Sequence, residues 1–178
     1  MANLLENPGF ETDTNDPPAK WANFNSPTNV ARTSQNSVKY AGNNAWKVNT
    51  TDAFNADCGI AQHESSGRTG KIDVSPSTQY YFSNYIKTAL SAGQAHTHIK
   101  LFEAGYANEA GYDTSDVTGT TDWILNDKTF TTTSTQVICE IWLCFGAYGN
   151  PANGTAYFDE MNLDVSGNGR LTMLGVGS

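Results

Sequence analysis

The segment 136–146, QVICEIWLCFG, alternates apolar and other residues so regularly that it reads as a β-strand with one buried face. Successive side chains of an extended chain point to opposite sides. Val137, Cys139, Ile141, Leu143 and Phe145 then face a core, and Glu140, Trp142 and Cys144 face away. The same parity puts Tyr80, Phe82 and Ile86 of 79–88 inside, with Tyr81, Ser83, Tyr85 and Lys87 outside. In 96–103, Ile99 and Leu101 are inside, with His96, His98 and Lys100 outside. Further strands are expected at 37–49 (broken at Gly42-Asn43-Asn44), 58–64, 70–74, 127–133 and 155–165, between polar turn clusters. No window sustains apolar spacings of three and four, so helix is a minor component. The pattern predicts an all-β chain in which two antiparallel sheets pack face to face. The stretch 104–126 lacks clear alternation and reads as a long loop rich in Tyr, Asp and Gly.

A chain of 178 residues suits one such domain. Ten Lys and Arg against eighteen Asp and Glu give a net charge of −8, which repels a phosphate backbone and argues against a nucleic-acid partner. No apolar run reaches the roughly 20 residues that cross a bilayer, and MANLLENPGF has neither the basic start nor the apolar core of an export signal. Either such a signal has been removed, or Met1 begins a protein made without export. Of the three cysteines, Cys139 and Cys144 lie on opposite faces of one strand and cannot bridge each other. A bridge from Cys58 to one of them stays open.

Were the three alternating strands neighbours in one sheet, its outer face would carry Tyr81, Tyr85, His98, Lys100, Glu140 and Trp142. Sugars present C–H patches and rings of hydroxyls, which aromatic faces and fixed polar groups complement. Trp142 is the centre of this candidate platform, and Trp46, between apolar neighbours, reads as core.

Several segments carry a resemblance in their order along the chain: NLLENPGFET (3–12) followed by Trp21, then GNNAWKV, GIAQHES, VSPSTQYYFSNYIKT, TTDWILNDKTFTTT and GTAYFDEMNLDV (154–165). Together they resemble the CenC-like carbohydrate-binding modules of the galactose-binding-like superfamily, over roughly residues 3 to 165. The resemblance implies a jelly-roll β-sandwich over 1–165, followed by a Gly-rich tail or linker at 166–178. It implies a noncatalytic, extracellular or cell-surface domain whose partner is an oligo- or polysaccharide, often beside a catalytic domain of a longer protein. It also implies a structural Ca2+ held by Glu11 and Asp159 with backbone oxygens, a donor set suited to a hard cation. Gln62 falls where the family places a polar residue that reaches the ligand. Trp21 and Trp123 sit in or beside loops and either flank the binding face or plug the ends of the sandwich. The expected ligand-binding set is Trp142, Tyr85, Gln62, Glu140, Trp21, Trp123 and His98.

Enzymatic readings find little support. A glycosidase needs two carboxylates across a cleft, whereas Glu140 stands alone on its strand and Asp159 and Glu160 alternate. His96 and His98 share a strand face without an evident third zinc ligand. GRTGK (67–71) lacks the spacing and the Ser or Thr of a phosphate loop. The reading that competes with sugar binding is a structural or attachment protein of a virion, a capsid decoration or tail-fibre domain of the same fold. The start at Met1 and the tail LTMLGVGS motivate it.

Overall fold

The computed structural model describes residues 3–12, 17–25, 30–35 (backbone), 37–50, 58–63 and 70–166. The expected tail beyond residue 166 lies outside them. Among the described residues ten strands form a single antiparallel sheet that curls on itself: β1 (Ala22–Phe24), β2 (Val30–Gln35), β3 (Ala45–Thr50), β4 (Cys58–Gln62), β5 (Ile72–Asp73), β6 (Gln79–Glu103), β7 (Ala110–Asp113), β8 (Val117–Thr131), β9 (Gln136–Phe145) and β10 (Asn153–Val165).

The curl happens within β6. Its first half, Gln79 to Ala92, pairs with β10 on one side and β8 on the other. Its second half, Ala95 to Glu103, pairs with β9 and, through His98–Leu101, with β7. One layer is therefore β2-β3-β10-β6-β8, and the other is β1-β4-β9-β6-β7 with β5 also on β9. The two segments read from sequence as separate strands are one continuous strand of 25 residues.

At the crossing the inside and outside of β6 exchange. Tyr80, Phe82, Asn84, Ile86, Thr88 and Leu90 are buried in the first half, and Ala95, Thr97, Ile99 and Leu101 in the second, so buried parity changes from even to odd. The register with β8 shifts between Ala89 and Gln94. Gly93 sits in this gap with φ +74, a left-handed conformation that favours glycine, and a Cβ there would come within 2.4 Å of the Pro151 carbonyl oxygen.

The inner faces of both layers make one core. Trp46, Phe82, Ile86 and Phe158 come from the first layer; Ile60, Ile99, Leu101, Ile141 and Leu143 come from the second, and all are fully buried. Each such side chain contributes about 1.5–3 kcal/mol on leaving water. None of Cys58, Cys139 and Cys144 is in a disulfide, so the Cys58 bridge does not form.

Two expectations are corrected. The stretch 104–126 is no loop: after a short 3-10 turn at Ala104–Tyr106 it contains β7 and most of β8. And the outer face expected to join Tyr81 and Tyr85 to Trp142 does not exist, because the two halves of β6 present their outer faces on opposite layers.

Candidate saccharide-binding face

Trp142 projects from the outer face of the second layer, directly across from His98 on β6 and Ala61 on β4. Its indole N–H donates to Glu140 Oε2 at 2.9 Å. Phe24 packs on it at 4.6 Å between ring centroids and His63 at 5.1 Å. Lys100 places its ammonium 4.6 Å from the ring centroid while pairing with Glu109 at 3.0 Å. Phe24, Ala61 and Cys144 form a small apolar floor beside the half-buried indole.

Polar groups surround that floor. Glu140 faces outward by parity yet is only 4% exposed. His98 Nδ1 lies 2.5 Å from Asp113 Oδ1, and Gly111, with no side chain, lets the His98 imidazole lie against β7. His96 is buried next to Asp113 and Asp116, at 3.9 and 3.7 Å. All three histidines of the chain thus belong to this face. The arrangement offers an aromatic ring with carboxylate, ammonium and imidazole groups around it, the mixture a pyranose requires.

Of the expected set, Trp142, Glu140 and His98 come together here. Tyr85 and Trp123 come together elsewhere, on the outer face of the first layer. There Tyr40 stacks on Tyr85 at 3.6 Å and Trp123 meets Tyr40 and Tyr157 edge-on at 6.1 and 6.4 Å. Hydrogen bonding with Tyr40, then burial, pushes the Tyr85 phenol up to about 12. Trp123 is a strand residue of β8 rather than a loop tryptophan.

Two residues of the set do not reach any open face. Gln62 is 2% exposed and aligned with the inward Ile141; its amide grips the Glu6 backbone, accepting from the N–H at 3.2 Å and donating to the carbonyl. Trp21 is buried against Phe10 at 5.5 Å, with its indole N–H on the Asn7 carbonyl. Both fasten the N-terminal segment to the sandwich. Phe24, His63 and Asp113 were absent from the expected set; Phe24 and Asp113 end short strands where alternation is too brief to read, and His63 lies just past the end of β4.

Glu11 and Asp159 hold the same loop from two sides. Glu11 Oε1 accepts from the N–H groups of Asn43 and Asn44 at 2.8 and 3.0 Å. Asp159 Oδ2 accepts from Tyr40 and Ala41 at 2.8 and 3.1 Å, and its Oδ1 from Glu160 at 2.8 Å. Burial pushes the Asp159 carboxyl up to about 6, against its three N–H donors and reinforced by the Glu160 charge. At Glu11 burial acts in the same sense but is outweighed by Asn44, Asn43 and Lys39, so its carboxyl lies below the ordinary value. Among the described residues no three His, Cys, Asp or Glu side chains converge as a metal cluster.

No family model matches this sequence, and no curated protein does. Solved structures do match. A tailspike protein of bacteriophage CBA120, in its enzymatically active domain, superposes with TM-score 0.67 at 12% identity over 92% of this chain, which spans 21% of the tailspike chain. A family 16 carbohydrate-binding module gives 0.62 at 21% identity, over 91% of this chain and 99% of the module. The family 22 xylan-binding domain of a Paenibacillus barcinonensis protein gives 0.57 at 13% identity, over 92% and 94%. At these identities the likeness speaks for the fold, and the chain folds as the antiparallel β-sandwich of the carbohydrate-binding modules.

Proposed function

We propose that this chain is a noncatalytic carbohydrate-binding module that holds a polysaccharide or surface glycan on the Trp142 face. The observation that carries this reading is the placement of Trp142: a half-buried indole on an outer sheet face, fixed by Glu140, Phe24 and His63. A sugar's C–H patch would take the position over the ring that the Lys100 ammonium holds, and the freed lysine would donate to a hydroxyl. Glu140 and His98 supply further fixed polar groups. The whole-chain likeness to modules described as xylan-binding or carbohydrate-binding supports the ligand class. The reading places the chain at a cell surface or outside the cell, as one part of a longer polysaccharide-directed protein; no described helix is long and apolar enough to cross a membrane.

Calorimetric titration with xylo-, cello- and mannohexaose and β-1,4-galactotriose tests it. Saturable binding to at least one is expected. Heats no larger than dilution for the whole panel, with calcium present, would overturn it. The match to a phage tailspike favours a second reading, an attachment domain of a virion. Under that reading the glycan belongs to a host surface and the Trp142 face acts in the same way.

A structural Ca2+ in the Glu11–Asp159 region is part of this proposal: two carboxylates, from segments far apart in sequence, hold one loop through its backbone N–H groups, and a hard cation would take their remaining lone pairs together with loop carbonyls. When bound, the cation would neutralise carboxylate charge that burial disfavours. The linkage has a definite sign. The folded Asp159 carboxyl titrates near 6 against an ordinary 3.8, so the folded state holds its proton more tightly. With calcium chelated, stability therefore falls as the pH rises from about 4 to about 6. Added calcium is expected to raise Tm at pH 7 and to have little effect at pH 4, where the carboxyl is protonated. Melting curves with calcium and with chelator, recorded across this range, check it; coincident curves at pH 7 would dismiss the ion.

A further inference from the structure

A second aromatic surface lies on the opposite side of the sandwich from Trp142. Tyr40 lies flat on Tyr85, with centroids 3.6 Å apart and planes 12° from parallel. The Tyr40 backbone is held by Asp159 at 2.8 Å, so the ring is placed by both its main chain and its stacking partner. One face of the ring is covered, yet the residue is 41% exposed, which leaves the other face to solvent. Trp123 stands beside it at 69° and is backed in turn by Tyr157. The rings make a floor and a wall, each with an aromatic support behind it.

The rim carries fixed hydrogen-bonding groups. Asp122 accepts from the Lys87 ammonium at 2.7 Å and from the Trp123 N–H at 2.9 Å, and both side chains still reach solvent. A pyranose matches such a corner: its C–H patch on the Tyr40 floor, its edge against Trp123, its hydroxyls on a carboxylate and an ammonium. One acid and one base at the rim of a chain of net charge −8 give no attraction for a polyanion, which points to a neutral sugar.

We propose that Tyr40 and Trp123, with Asp122 and Lys87 at their rim, form a second saccharide-contact surface that takes a neutral pyranose unit on the side of the sandwich opposite Trp142. The proposal rests on the saccharide-binding reading of the Trp142 face. Two contacts pointing away from each other would let one chain bridge two polysaccharide strands and gain avidity on an insoluble substrate.

The test uses the full chain labelled with 15N and follows its four indole N–H signals during titration with xylohexaose, cellohexaose, mannohexaose and β-1,4-galactotriose. Trp142 and Trp123 are assigned from Trp142→Phe and Trp123→Phe, and the buried Trp46 and Trp21 serve as internal references. Both the Trp142 and the Trp123 signals should shift. The Trp123 shift should persist in Trp142→Ala, and the Trp142 shift should persist in Tyr40→Ala and in Trp123→Ala. A Trp142 signal that moves to saturation while Trp123 stays fixed overturns the second surface and leaves the first standing. A Trp123 shift that vanishes in folded Trp142→Ala also overturns it, as the mark of one site. No shift of either signal with any sugar removes both readings. Self-association in sedimentation that Trp123→Ala abolishes assigns the surface to a second copy of the chain and overturns the proposal.

Discussion

Replacing Trp142 with alanine is expected to weaken saccharide binding at its face about 30-fold or more, the loss typical of a central aromatic anchor. The ring supplies the apolar platform, and no neighbour substitutes for it: Phe24 and His63 support the indole, and Ala61 and Cys144 are too small to present a stacking surface. The substitution also leaves the buried Glu140 carboxylate without its indole donor, which costs about 1–3 kcal/mol of stability. Trp142→Phe helps to separate the two effects, since it loses the N–H but keeps a smaller aromatic ring on the face. Calorimetry beside thermal melting reads both. The expected order of affinity is wild type, then phenylalanine, then alanine. Folded Trp142→Ala with wild-type affinity at this face would remove Trp142 from the site.

The second large effect is on stability and falls at Gly93. Alanine there must adopt φ +74, and its Cβ would lie 2.4 Å from the Pro151 carbonyl oxygen and 2.5 Å from the Ala152 Cα. These are backbone atoms, which cannot swing aside as a side-chain tip can. Left-handed strain of about 1–3 kcal/mol and overpacking of a similar size together give a loss of about 2–6 kcal/mol. For a domain of this size that lowers Tm on the order of 10 °C. Gly105→Ala is the control, with φ +73 but nothing within 4 Å of its Cβ, so it carries the strain without the collision. Equal melting temperatures for the two variants would show that the β6 crossing tolerates a side chain.

The inside and outside of individual strands were legible in the sequence. Alternation in QVICEIWLCF assigned Ile141 and Leu143 to the core and Trp142 to the outer face, as found. The same held for each half of β6 taken alone. What alternation cannot encode is which layer a strand joins, because inside and outside are defined identically in both. The crossing rests on one residue, Gly93, in a run (SAGQA) that reads as an ordinary turn. Tyr85 and Trp142 were accordingly grouped, although they lie on opposite faces. The first part of β8 escaped notice for another reason, although its end falls in the strand expected at 127–133: Ile124 and Leu125 are adjacent and both exposed, so TTDWILND has no buried face to announce itself. Gln62 was misplaced by analogy where parity was informative, since in GIAQ it shares the inward side with Ile60.

The crossing of β6 also governs how the molecule could be taken apart. A chain severed at Gly93 would leave β2, β3 and the first half of β6 on one piece, and β8 and β10, which flank that half strand, on the other. In the second layer, β1 and β4 would stay with the first piece, while β9 and β7 would go with the second half of β6. Neither piece contains a complete layer, and each carries strands whose edges only the other can cover. Two such fragments could not behave as independent half-domains. They would acquire ordered structure by reassociating, which makes this corner a natural place to divide the protein into complementing halves.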